Sequence, residues 1–424
     1  MSTLLLIPPR LLGSVSRQHW QEMVREPAVL FTYTGSEEHR ARTREELSDV
    51  FESIHFYDDL GTNDRAELDA IALHEKSPFT RVVATGEDDL FRAARMRELV
   101  GIPGPSSADI LVFRDKVMMK RRAMAAGIPV AHHAEVQTMT DVARFVREVG
   151  YPIVVKPIRG MGSAETRVLR SDEDLRRFAD QRPFGSTLGL PHLLAEKFVL
   201  GALCHVNGLV IGGRMQVVSP SCFIHTALEY VRDQSFLGSY VMGAENPDRE
   251  RLAAFATRVI EAFPTPPECI FHLECFLTPG GEIVLCEVAC RLGGNGINEE
   301  VRLSYGVDMK IEWLRSQFLG TSACKVRTAP QGLLTEGESL AGRLLVSPRE
   351  GRLVAIPAEC KESFVLDYRT RGRPGAEYHA MNMSDDEIAS FLLVGRGEVE
   401  LKTRILGLHE WFEQNTRWAP RASQ

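Results

Sequence analysis

One stretch restricts the fold more than any other. Phe271-His272-Leu273-Glu274-Cys275-Phe276-Leu277 is followed by Thr278-Pro279-Gly280-Gly281, then by Glu282-Ile283-Val284-Leu285-Cys286-Glu287-Val288-Ala289. Two largely apolar runs flank a Pro-Gly-Gly turn, which is the pattern of a β-hairpin. A four-residue loop pairs Leu277 with Glu282, Glu274 with Leu285 and His272 with Glu287. Pairing preserves the face of a sheet, so His272, Glu274 and Glu287 share one side. Phe271, Leu273, Cys275, Leu277, Val284, Cys286 and Val288 take the other, which is apolar and suited to a core. A slip of one residue would move one strand's set to the opposite face.

The two acids are then diagonal neighbours, roughly 7–8 Å apart at the backbone. Carboxylates at that range repel unless a cation lies between them. Hard oxygen donors completed by phosphate and water suit Mg²⁺, with Mn²⁺ as a second candidate. Arg291-Leu292-Gly293-Gly294-Asn295-Gly296 follows at once. A guanidinium at Arg291 can grip a phosphate through two bonds or pair with Glu287. The glycines let backbone amides approach a ligand.

Upstream, the first hundred residues alternate strands (4–7, 29–34, 53–57, 81–84) with helices (16–26, 38–50, 64–74, 89–100). That order implies a parallel sheet with helices on its faces. Gly101-Ile102-Pro103-Gly104-Pro105 closes the unit. A helix over 115–126 stops at Gly127-Ile128-Pro129 and carries Lys116. Ile153-Val154-Val155-Lys156-Pro157 then sets a lysine in an apolar strand, which is costly unless the ammonium reaches a partner such as a phosphate. Gly160, Met161, Gly162 and Ser163 form a glycine-rich loop between this strand and Thr166-Arg167-Val168-Leu169, more natural as a mobile hairpin than as a P-loop. No GxxxxGK[ST] run occurs. Glu196-Lys197-Phe198-Val199 ends a further strand, whose backbone and apolar side chains could meet an adenine edge. A hairpin over 203–211 and 214–218 turns at Gly212-Gly213, and 219–247 lacks periodicity and reads as a long loop or lid. The tail from 341 reads as a small α/β appendage, with strands at 342–347, 352–357 and 363–367, a helix at 384–391 and a last strand near 398–405.

Composition narrows the function. The net charge of −7 over 424 residues argues against sequence-independent nucleic-acid binding. No run of about 18 apolar residues is present to span a bilayer, and Met1 to Pro9 reads as a strand rather than a signal peptide. Eight cysteines without a CxxC spacing indicate a reducing, cytoplasmic setting and no zinc site.

In this order, the Lys116 helix ending in Gly-Ile-Pro, Lys156-Pro157 with its glycine loop, Glu196-Lys197-Phe198-Val199, the Glu274/Glu287 hairpin and Arg291 resemble the ATP-grasp superfamily over roughly residues 105–325. Three features resemble the L-amino-acid ligases and related carboxylate–amine ligases within it: His205-Val206-Asn207-Gly208, Glu287-Val288-Ala289-Cys290-Arg291, and Ala341-Gly342-Arg343-Leu344-Leu345 with Gly351-Arg352-Leu353-Val354. Two positions depart from the superfamily: Ala202-Leu203-Cys204 stands where an acid often holds the ribose, and Ala289 where an asparagine metal ligand is common.

The resemblance implies an α/β fold (α+β in parts), divided into an N-terminal domain over 1–110, an ATP-grasp domain over 111–330 with a lid at about 130–200, and an appended subdomain over 331–424. It implies ATP and Mg²⁺ as cofactors. Lys116, Lys156, Gly160, Met161, Gly162, Ser163, Glu196, Lys197, Phe198 and Val199 would hold ATP, Glu274 and Glu287 the metal, and Arg291 the transferring phosphoryl group. His205, His272 and Arg302 are candidates for substrate contact, with His225 and Tyr230 behind them. The implied activity is amide formation from a small carboxylate and an amine, amino acids first, through an acyl phosphate, in a protein with no nucleic-acid or membrane partner and with a homodimer as its candidate assembly. Other ATP-grasp chemistry, carboxylase-like or phosphotransferase, and a non-catalytic nucleotide-binding module are the alternatives.

Overall fold

The computed structural model describes residues 2–34, 36–60, 63–181, 184, 193–233, 236–294, 296–326, 339–379, 381 and 386–420. Its first part is a parallel sheet in the order Ser53–Tyr57, Ala28–Tyr33, Ser2–Leu6, Phe79–Ala84. Helices Arg17–Met23, Glu37–Leu47 and Arg65–Lys76 make the crossovers, and Glu87–Val100 follows the last strand. Strand alternation separates two cores: Leu4, Leu6, Val29 and Phe31 face one way, Leu5, Ile7, Ala28 and Leu30 the other. Ile311 and Leu314 of helix Met309–Leu319 complete the second core, so a helix from far along the chain fixes the opening sheet to the centre.

A second sheet is antiparallel, in the order His133–Val136, Leu193–Lys197, Ile153–Pro157, Arg167–Leu169. Helices Met139–Val149 and Asp172–Asp180 back it through Val142, Phe145 and Phe178. Thr138 and Asp141 form a reciprocal cap on the first helix, and Ser171 caps the second. The glycine loop joins the two strands as expected, and its tight path takes Gly162, Ser163 and Glu165 to positive φ (60°, 58° and 55°).

The largest sheet has eight strands, in the order Ile283–Ala289, Cys269–Leu277, Ala202–Ile211, Arg214–Phe223, Phe236–Val241, Leu340–Val346, Ala389–Gly395, Val365–Thr370. Three of them come from the tail, which therefore continues the central sheet. The tail also corrects two expectations. Residues 389–395 are a strand with alternating burial where a helix over 384–391 was expected (382–385 lie outside the described residues). Helix Glu398–Asn415 replaces the strand near 398–405; its buried Leu401, Ile405, Leu408 and Phe412 recur at helical spacing. The described residues of 219–247 form regular elements where a long loop or lid was expected: the strand runs on to Phe223, a short helix spans Ala227–Asp233 and another strand covers Phe236–Val241. No helix among the described residues is long and apolar enough to cross a membrane.

Candidate active site

The acidic hairpin forms, with a register one residue away from the expected one. Leu277 pairs with Ile283 and Cys275 with Leu285. Continued unbroken, that register would turn Glu287 to the apolar face. A β-bulge between these pairs and the next leaves Cys286 as the extra residue, so Glu274 faces Glu287 directly and His272 faces Ala289. The acids share a face as expected, but as opposite rather than diagonal neighbours. Two apolar assignments change with the register. Leu285 sits in the core in place of Val284, and Cys286 lines the cleft above it. Cys275 and Cys290 are core residues; Cys290 is bonded to Cys269, a pairing that the spacing did not announce.

The hairpin floors a cleft of about 330 Å³ between the large sheet and the four-stranded antiparallel sheet. Lys116, Lys156, Gly160, Met161, Gly162, Ser163, Glu196, Lys197, Phe198, Val199, Glu274 and Glu287 all line it. Asp115 caps helix Lys116–Ala125 through the Val117 and Met118 amides, which sets Lys116 at its first turn. The Lys116 ammonium lies 3.1 Å from Glu287 Oε2 and donates to the Gly160 carbonyl at 2.7 Å. Lys156 is 2.6 Å from Glu196 Oε2, and Lys120, absent from the sequence-based set, is 2.5 Å from Glu196 Oε1. Lys197 turns its ammonium to the carbonyls of Gly150 and Tyr151.

Charge compensation outweighs burial in this cluster. Burial opposes ionisation of Glu196, yet Lys120 and Lys156 hold its carboxyl at about 2. Burial likewise opposes a charged Glu287, and Lys116 and Lys156 hold it at about 2. The Lys156 ammonium is stabilised above its ordinary range: burial disfavours it, and Glu196 more than compensates.

Arg291 lies outside this cleft. Its guanidinium pairs with Glu87, at the start of helix Glu87–Val100, and Glu87 is shared with Arg114 at 2.5 Å. Burial disfavours charge on Glu87, and Arg291 and Arg114 reverse that. The alternative pairing of Arg291 with Glu287 alone is therefore not what forms. Arg302 is exposed on helix Ile297–Tyr305 and does not line the cleft. His225 packs edge-on against Phe236, and Tyr230 is fully buried.

His205 and His272 are buried in a polar chain beside the cleft. His272 Nε2 is 3.5 Å from Glu274 Oε1, and His272 Nδ1 is 2.7 Å from Asn207 Oδ1. Asn207 Nδ2 meets His205 Nδ1 at 2.8 Å, and His205 Nε2 meets Ser239 Oγ at 2.8 Å. Burial, with His272 and Arg343 adding to it, holds His205 well below the ordinary imidazole range. A neutral ring accepts from Asn207 and donates to Ser239. The chain continues from Ser239 to Glu300 at 3.5 Å and on to Arg343 at 3.4 Å, and Arg343 donates to the Gly294 carbonyl. Burial, partly offset by Arg343, pushes Glu300 up to about 7.

Sequence reasoning missed Lys120, Glu87, Glu300 and Arg343 as members of these networks. Lys120 had a signal, since it follows Lys116 by one helical turn. The others meet their partners only through tertiary packing of elements far apart in sequence.

Two acids opposite each other, with further oxygen from phosphate and water, fit a hard divalent ion such as Mg²⁺. Among the described residues no group of three or more His, Cys, Asp or Glu could hold a metal on its own. Ammoniums opposite these acids suit a polyphosphate.

Residues 115–292 match the family model of the carbamoyl-phosphate synthase L chain, ATP binding domain. Over 239 residues the chain is 27% identical to an L-arginine-specific L-amino acid ligase of Bacillus subtilis, a match covering 55% of this chain and 56% of that protein. The chain thus spans about half the length of this curated relative. The structure resembles that of an L-amino acid ligase from Bacillus licheniformis (TM-score 0.74, 16% identity, 99% of each chain covered). It also resembles the biotin carboxylase domain of 2-oxoglutarate carboxylase from Hydrogenobacter thermophilus, solved with MgADP (TM-score 0.67, 15% identity, 99% of this chain and 90% of that one). At such identities these two likenesses speak for the fold. Residues 115–292 thus match an ATP-binding domain family, and the chain has the fold of an L-amino acid ligase and of a biotin carboxylase domain around its lysine- and acid-lined cleft.

Proposed function

We propose that the protein is an ATP-dependent carboxylate–amine ligase that joins small substrates, amino acids first, and releases ADP and phosphate. The observation that carries this reading is the direct pairing of Glu274 with Glu287 on the floor of a cleft that Lys116 and Lys156 also line. The similarity to an L-arginine-specific L-amino acid ligase supports amino acids as the substrate class.

A free carboxylate and an amine do not condense readily, because hydroxide is a poor leaving group. Attack of the carboxylate on the γ-phosphorus of ATP forms an acyl phosphate and releases ADP. The amine then attacks the acyl carbon, phosphate departs and the amine's proton is lost. Glu274 and Glu287 would hold Mg²⁺, which when bound offsets phosphate charge. Lys116 and Lys156 bind the phosphates as point charges, and the 159–164 loop covers them and keeps water from the acyl phosphate. Phe198 and Val199 supply an apolar edge for the base. Arg291, drawn from Glu87, would stabilise the phosphoryl oxygens and the oxyanion of the tetrahedral intermediate.

Screening pairs of free amino acids for phosphate release, with mass spectrometry of the products, tests this. Release that requires both partners, with a product equal to their summed mass less one water, is expected. Release driven by bicarbonate, or by ATP alone, would contradict it.

A further inference from the structure

Lys120 is almost wholly buried, with a relative exposure of 1%, and its ammonium reaches into the cleft wall. It stands one turn beyond Lys116 on the same helix face. Its partners are Glu196 Oε1 at 2.5 Å and the Cys286 carbonyl at 3.3 Å. Glu196 is buried too, and each of its oxygens meets one ammonium, Lys120 on one side and Lys156 on the other at 2.6 Å.

This bracket bears on phosphate binding. If Lys156 is to grip a nucleotide phosphate, it must loosen its hold on Glu196. A buried carboxylate left without a cation is strongly disfavoured. With Lys120 in place, Glu196 keeps one ammonium at hydrogen-bonding range throughout. Without Lys120, Lys156 becomes the sole counterion and is held back from any phosphate.

We propose that Lys120 is a positioning residue for nucleotide phosphate: by holding Glu196, it lets Lys156 exchange that carboxylate for a phosphate oxygen. The proposal rests on the nucleotide reading of the cleft. It assigns to Lys120 no contact with the nucleotide itself.

The test is calorimetry on the full chain with two probes, MgADP and adenosine. In Lys120→Met, MgADP should bind about tenfold more weakly, while adenosine, which has no phosphate, should change less than about twofold. Lys120→Arg keeps the charge and should stay within about threefold of wild type for both probes. In the Glu196→Gln background the carboxylate bonded to Lys156 is gone, so adding Lys120→Met should change MgADP affinity less than about threefold. Should Lys120→Met fail to fold, Lys120→Gln serves in its place. Equal weakening of adenosine and MgADP would overturn the proposal, since that is what a collapsed wall produces. An undiminished loss in the Glu196→Gln background would overturn it too, because Lys120 would then touch phosphate directly. Wild-type protein that binds neither probe would overturn the nucleotide reading beneath it.

Discussion

Glu287 faces Glu274 because Cys286 is an extra residue in its strand. The bulge corrects a register that would otherwise point Glu287 into the core, and so creates the paired acids on which the cleft depends. The cleft's electrostatics follow: Lys116 answers Glu287, and Lys156 and Lys120 answer Glu196.

Glu287→Gln should leave the fold intact and lower ATP-dependent turnover by about a hundredfold or more, as expected for a group that holds metal and phosphate charge together. Circular dichroism and ADP release measured on the same preparation check this. Turnover within a few-fold of wild type would defeat the metal assignment.

Arg291→Ala should depress turnover far more than MgATP affinity, because the guanidinium is assigned to charge that develops during transfer. Glu87→Gln probes the partner, since Arg291 loses the carboxylate that holds it away from the cleft. Equal losses of turnover and affinity in Arg291→Ala would assign Arg291 to binding alone.

Glu300 gives a pH signature. Its folded-state carboxyl is pushed up to about 7 from an ordinary 4.5, first by burial, with Glu299 adding and Arg343 and Ser239 opposing. Between those values the folded state binds more protons than the unfolded one, so stability falls as pH rises. Glu300→Gln removes that slope. Its melting temperature relative to wild type should rise from pH 5 to about pH 7 and level off above that, and a flat difference would contradict the burial argument.

Two substitutions test the packing beneath the site. A Cβ at Gly208 would lie 2.4 Å from the Phe271 ring and 2.5 Å from the Val217 carbonyl oxygen. Gly208→Ala should therefore destabilise by about 1–3 kcal/mol in urea titration. Asn207→Ala strips partners from both buried histidines and should cost about 2–4 kcal/mol. Wild-type stability in either variant would show that the strands shift more easily than their contacts imply.

Much of this was legible in sequence where one strand or helix carries its own signal. Lys156 stood out because an ammonium in Ile153-Val154-Val155 needs a partner, and the hairpin because its two runs flank Pro279-Gly280-Gly281. The bulge left no mark, since Cys286 is neither glycine nor asparagine. The tail misled for a physical reason: Val399-Glu400-Leu401-Lys402 alternates like a strand, and only the longer spacing Leu401, Ile405, Leu408, Phe412 reveals the helix. The chain from Glu274 through Asn207 and Ser239 to Arg343 draws on four strands of the large sheet and on Glu300 of a helix, which come together only in the folded chain, so no local pattern could announce it.

The most direct test is anomalous diffraction from crystals grown with Mn²⁺ and a nonhydrolysable ATP analogue. A manganese peak between the Glu274 and Glu287 carboxylates, touching the analogue's phosphates, is the expected result. A peak elsewhere, with those two side chains turned apart, would contradict the account.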